Sequence, residues 1–197
     1  MKKDSIYSTA LTGAGFRLFE FKIVVQLIDE GLTDDEIRKK VFDENLFQQK
    51  SSSTTRSFPY ILKRARVLDD HLRNFILNES NRIAKQINFY AIMKTDLLFY
   101  EFMNEVIKQK LQNNNLIYEK KDINIFFNEK ADLNEKLANW SDSTLKRLKS
   151  SYNRLLLEIG YLSKLSSTDL FPVQMDDVLR DYLIKIGDKG YVEAMEG

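Results

Sequence analysis

The sequence predicts an all-α protein with at most a minor β wing, and three observations carry that expectation. Apolar residues recur at spacings of three and four, the helical period. Only seven glycines and two prolines stand in 197 residues, so little interrupts a helix. Val, Ile and Thr nowhere alternate with polar residues over a long run, as a half-buried strand requires. The place left for a short strand is Tyr191 and Val192, in an otherwise irregular tail.

The elements follow in order. A first helix is expected over residues 16–31, with Leu18, Phe21, Val25 and Ile28 on one stripe and Gly31 as its stop. Thr33 and Glu36 then have capping-box spacing, opening a short helix that buries Ile37 and Val41. A basic helix follows, roughly residues 53–68, but Pro59 lies inside it. Past the first turn a proline removes a hydrogen bond and clashes with the carbonyl four residues back. That leaves a second start open, near Phe58, with "SSSTTRS" in a loop. Helices are expected at 70–77, 81–94 and 96–111, the last burying Leu98, Phe102, Val106 and Ile107. Asp122 is expected to cap a short helix bearing Ile125, Phe126 and Ala131. Residues 140–161 form a long helix capped by Ser141, and a last one covers 175–186.

Composition removes several function classes. No cysteine is present, so disulfides, thiolate metal sites and cysteine nucleophiles are out. The single histidine, His71, excludes a multi-histidine metal site within one chain. Acid pairs such as Asp34/Asp35 and Asp176/Asp177 sit where helices begin, so capping explains them. No catalytic constellation stands out, and no cofactor or metal is expected. The longest uncharged run, residues 5–16, is too short and polar to span a bilayer, and no signal-type apolar core follows the N-terminus. The expectation is a soluble, cytoplasmic, non-enzymatic protein.

Two helices share a grammar of hydroxyl residues followed by Lys and Arg. In "KSSSTTRSFPYILKRARVL" five basic residues stand over residues 50–68 with no acid, in a chain of net charge +1. In "WSDSTLKRLKSSYNRLLLEIGYL" the positive excess is smaller, since Asp142 and Glu158 offset part of it. Small polar residues in a first turn let phosphate approach the backbone N–H groups, and exposed Arg or Lys neutralise it. The candidate DNA contacts are Lys50, Ser51, Ser53, Thr54, Arg56, Lys63, Arg64 and Arg66, then Ser143, Lys146, Arg147, Lys149 and Arg154. The plainer reading is that Ser and Thr begin many helices and that basic residues mark a solvated face. Trp140 reads as a hydrophobic anchor before the Ser141 cap rather than a stacking platform. Residues 1–70 are expected to form a helix-turn-helix-like part and 71–197 a helical part carrying the second basic helix, the two packed together, with one compact domain as the alternative.

These segments resemble the BrxA family, the small phage-defence proteins of BREX (bacteriophage exclusion) systems. The likeness rests on "YSTALTG", on Glu-Gly-Leu at 30–32, on "NLFQQKSSST", on the Trp-Ser-Asp-Ser-Thr helix ending in Gly-Tyr-Leu, and on "LFPVQMDDVLRDYL". It covers nearly the whole chain, and 69–114 matches mainly in pattern. Pro59 departs from it, falling where the family runs an unbroken helix. The resemblance implies a cytoplasmic, mostly helical, non-enzymatic component with affinity for double-stranded DNA. Its colleagues would be a methyltransferase, an alkaline-phosphatase-like protein and a large ATPase. An adaptor that organises such a complex without touching DNA stays open, and basic helices do not separate DNA from RNA.

Overall fold

The computed structural model of the protein describes residues 7–197. Their regular structure is helical, and the β contact among them is one isolated antiparallel bridge between Ile117 and Asp169. The described chain divides into two compact units. One is Gly13–Thr95; the other joins residues 7–12 to Asp96–Gly197. Helix α1, Leu11–Ala14, covers the change from one to the other in sequence.

The Gly13–Thr95 unit is arranged around α2 (Leu18–Asp29), whose Phe21, Val24, Val25, Leu27 and Ile28 are buried. Gly31, at φ +85°, takes the left-handed conformation just beyond it. Helix α3 (Asp34–Asp43) opens with the expected capping box. The Glu36 carboxylate accepts from the Thr33 N–H at 2.8 Å, and the Thr33 hydroxyl oxygen accepts from the Glu36 N–H at 3.4 Å. Helices α4 (Ser51–Arg66), α5 (Asp70–Asn78) and α6 (Asn81–Thr95) complete the unit. Both α4 and α5 pack on α2 and on α6. Every residue of α6 from Gln86 to Met93 is buried, so it is the inner helix of this unit.

Helix α4 starts at Ser51, not near Phe58, and runs unbroken through Pro59. Thr54, Ser57, Phe58, Ile61 and Ala65 are buried on both sides of the proline, which itself faces solvent. Burying Phe58 and Ile61 alone is worth roughly 1.5–3 kcal/mol each, against about 3 kcal/mol for a proline inside a helix. Local propensity loses to packing. Phe58 lies 5.8 Å, edge to face, from Phe42 of α3 and 6.3 Å from Phe47 in the loop, so three rings hold α3 against α4.

In the second unit, α7 (Leu97–Phe102), a π-helical turn (Met103–Ile107) and α8 (Lys108–Gln112) form one run. It corresponds to the single helix expected over 96–111. Helix α9 (Lys120–Leu133) is capped by Glu119, with Asp122 at the third position reaching back to the Glu119 N–H at 2.6 Å. Asp122 is therefore the capping-box partner and not the cap. Ile123, Phe126 and Phe127 are buried there, whereas Ile125 is exposed, so the expected stripe is rotated. After α10 (Glu135–Ala138), α11 (Asp142–Ile159) begins at the Ser141 cap and ends at Gly160, φ +103°. Its Tyr152 joins the aromatic core: Phe99 at 4.8 Å, Phe102 at 5.2 Å and Phe127 at 5.5 Å. Trp140 is half-buried ahead of the cap.

Helix α12 (Asp177–Lys185) is followed by α13 (Lys189–Glu196), where the sequence left a tail or a short strand. Val192, Ala194 and Met195 are buried, and the Tyr161 hydroxyl donates to the Met195 carbonyl. Tyr191 and Val192 are helical and not a strand, and the spacing of Val192 to buried Met195 is that of a helix.

Candidate nucleic-acid interface

Helix α4 distributes its basic residues unequally around its axis. At about 100° per residue, Ser52, Arg56, Pro59 and Lys63 fall on one solvent-facing stripe, with Arg66 beside it. Arg56 and Lys63 are separated by about 10 Å along the axis, two turns. Both have local partners that leave them at the surface: the Arg56 Nε donates to the Ser52 carbonyl at 3.2 Å and the Lys63 Nζ to the Thr95 carbonyl at 3.1 Å. Arg66 is exposed but engaged, its guanidinium 2.5 Å from Asp34 and 3.3 Å from the Leu32 carbonyl.

Arg64 is placed differently. It is 2% exposed on the inner face and donates from Nη1 to the Gly15 carbonyl at 2.7 Å. Thr54 is buried as well, and Ser53 is half-buried with its hydroxyl donating to Gln49 at 2.8 Å. Of the expected residues on this helix, Lys50, Ser51, Arg56, Lys63 and Arg66 reach solvent. Ser52 and Thr55 are exposed as well, and Ser52 stands four residues before Arg56, a spacing that places the two on one face.

The N-terminus of α4 is also distinct in chemistry. Lys50 occupies the N-cap position, no side chain caps the helix, and no acid stands in the first turn. By contrast α3, α5, α11 and α12 are each capped by a Thr, Ser or Asp side chain. The seven residues between α3 and α4 include Asn45 and Gln48 at positive φ, and Phe47 is buried beneath them.

Helix α11 splits its candidates between two faces. Ser143, Arg147 and Arg154 share the outer side, all exposed. Lys149 lies about 120° or more away and Lys146 about 60–100° away, and both line a cleft with α9. Lys149 is half-buried there, its Nζ donating to Asn124 Oδ1 at 2.8 Å and standing 5.3 Å from the centre of the Phe127 ring. Burial holds its pKa below the usual lysine value, and the nearby charge of Lys120 lowers it further. In the sequence alone Lys120 is an ordinary surface lysine at a helix start.

Among the described residues no group of three or more His, Cys, Asp or Glu side chains is placed to hold a metal ion. No helix among them is long and apolar enough to cross a membrane.

The sequence model of the BrxA family matches residues 5–187. The chain belongs to the BrxA family. Curated members confirm how widely its pattern extends. A BREX protein BrxA of Bacillus cereus strain H3081.97 is 34% identical over the whole of both chains. One from Paramagnetospirillum magneticum strain ATCC 700264 / AMB-1 is 24% identical, covering 96% of each chain. One from Escherichia coli O9:H4 strain HS is 22% identical, over all of this chain and 93% of its own. A crystal structure of an uncharacterized protein from Magnetospirillum magneticum shares this BrxA fold: TM-score 0.86, 21% identity, with 97% of this chain and 98% of that one covered.

Proposed function

We propose that this BrxA-family chain is a non-enzymatic, DNA-binding accessory component of a BREX phage-defence system, acting in the cytoplasm. It contacts duplex DNA chiefly through phosphates. The observation that carries the reading is the acid-free α4: an uncapped N-terminus with Lys50 and exposed Ser51 and Ser52, continuing into the Arg56–Lys63 stripe. Free N–H groups at a helix start and lysine at the N-cap favour an anion there, and the stripe continues that field two turns onward. Helix α3 stands behind α4 through Phe42, Phe47 and Phe58, a helix-turn-helix-like support with a loop longer than the usual three or four residues. Arg147 and Arg154 on the outer side of α11 are the second contact. Arg64 and Thr54 belong to the core and are excluded from it. Other BREX components are its protein partners.

The test is duplex binding by fluorescence anisotropy over a salt series. Arg56→Ala with Lys63→Ala should weaken binding and reduce the log–log salt slope by about 0.9 per lost phosphate contact. A folded double variant with native affinity and native slope would remove α4 as the contact. Single-stranded DNA and structured RNA serve as competitors, and tighter binding to RNA would overturn the choice of duplex DNA.

A further inference from the structure

The α9–α11 cleft lies within the Asp96–Gly197 unit and has a volume of about 880 Å³. That falls inside the range of roughly 300–1,000 Å³ typical of small-molecule sites. One wall is α9, with Lys120, Ile123 and Asn124; the facing wall is α11, with Lys146, Lys149 and Asn153. The third is the segment 162–168, fixed by the Tyr118 N–H to the Thr168 carbonyl at 2.7 Å and the Leu170 N–H to the Leu116 carbonyl at 2.9 Å. The walls are therefore tied to one another before any ligand arrives.

The charges in this concavity are unbalanced. Among the described residues, Lys120, Lys146 and Lys149 make no ion pair with a carboxylate. Of the two acids in the lining, Glu119 is taken by Lys121 at 2.5 Å and caps α9, and Asp142 stands exposed in the first turn of α11. Lys149 is desolvated beside a like charge, and its one hydrogen bond goes to a neutral amide. Like charges held around a partly dry space destabilise one another unless an anion stands between them. Leu145 and Leu165 add apolar surface to the same lining, Leu165 being 49% exposed for want of a partner.

We propose that the α9–α11 cleft binds a phosphate-bearing small molecule of nucleotide size, its phosphates on Lys120, Lys146 and Lys149 and its ring against Leu145 and Leu165. Its lining does not include the duplex contacts, which are Arg147 and Arg154 on α11 and the basic residues of α4.

Isothermal titration of the full chain with ATP and with inorganic pyrophosphate tests it. ATP should bind more tightly than pyrophosphate. Lys149→Met and Lys120→Ala should each weaken ATP about tenfold, the scale of one lost charge-assisted hydrogen bond. Arg56→Ala should leave ATP binding unchanged. Lys120 is exposed, so its variant tests the site even if Lys149→Met fails to fold. Absence of ATP binding by the native chain overturns the proposal, as does native affinity in the Lys120→Ala variant. Pyrophosphate binding as tightly as ATP would overturn the seat for a ring. An oligonucleotide that displaces ATP and depends on the same lysines would place a polymer there instead.

Discussion

Arg64 donates to the Gly15 carbonyl at 2.7 Å from a position that is 2% exposed. The most basic stretch of the chain thus turns one of its arginines inward, where it ties α4 to the backbone ahead of α2. Truncation would deprive a half-buried carbonyl of its donor as well as open a void. Arg64→Ala should cost about 2 kcal/mol or more in urea unfolding, the range for a hydrogen bond to a charged group. Arg56→Ala and Lys63→Ala, whose side chains reach solvent, should change stability by no more than about 0.5 kcal/mol. Equal stability loss across the three would show that the inward and outward sides are not distinct.

Tyr152 has the opposite defect: its hydroxyl is buried in the aromatic core without a hydrogen-bond partner. Burial raises its pKa, and the charges of Asp96 and Glu101 raise it further, so the hydroxyl stays protonated. Removing an unsatisfied polar atom of this kind is neutral or favourable. Tyr152→Phe should leave the denaturation midpoint unchanged or raise it. Tyr161→Phe is the contrast, since its hydroxyl donates to the Met195 carbonyl, and should cost about 1 kcal/mol. A marked loss in Tyr152→Phe would mean that the hydroxyl has a partner.

The acid side of the stability profile involves the α3 capping box. The Glu36 carboxylate accepts from the Thr33 N–H and from its hydroxyl, at 2.8 and 2.7 Å, and these bonds hold its pKa below the usual value. With the folded pKa depressed, the contribution is fully present above the unfolded value and is lost as pH falls through the folded one. Unfolding midpoints measured from about pH 6 down to about pH 3 should fall less steeply in Glu36→Gln than in the native chain. Identical slopes would remove the capping box from the acid response.

Most of the helical order was legible, because caps and stops are local. Thr33/Glu36, Ser141 and Gly160 each fix a helix end through groups within four residues. What was not legible depended on the partner surface. Arg64 and Arg56 are both arginines of one basic run, and only the position of α2 and α6 decides which faces inward. Ile125 and Phe126 are neighbours with similar hydrophobicity, yet the core packed beside α9 selects Phe126. Lys146 and Lys149 group with Arg147 and Arg154 along the sequence, and only the positions around the α11 axis separate them.

Pro59 gives the last prediction. It interrupts α4 in its third turn, on the exposed stripe between Arg56 and Lys63, and contributes no buried side chain. The helix persists there because Phe58 and Ile61 are buried on the other side. Alanine would restore the missing N–H and remove the ring clash while leaving the buried side untouched. Pro59→Ala should therefore raise stability, by about 1–3 kcal/mol in urea unfolding. If duplex binding uses the Arg56 and Lys63 side chains and not a proline-bent backbone, affinity and salt slope should stay native in this variant. A stabilised variant that loses duplex affinity would show instead that the proline shapes the contact surface.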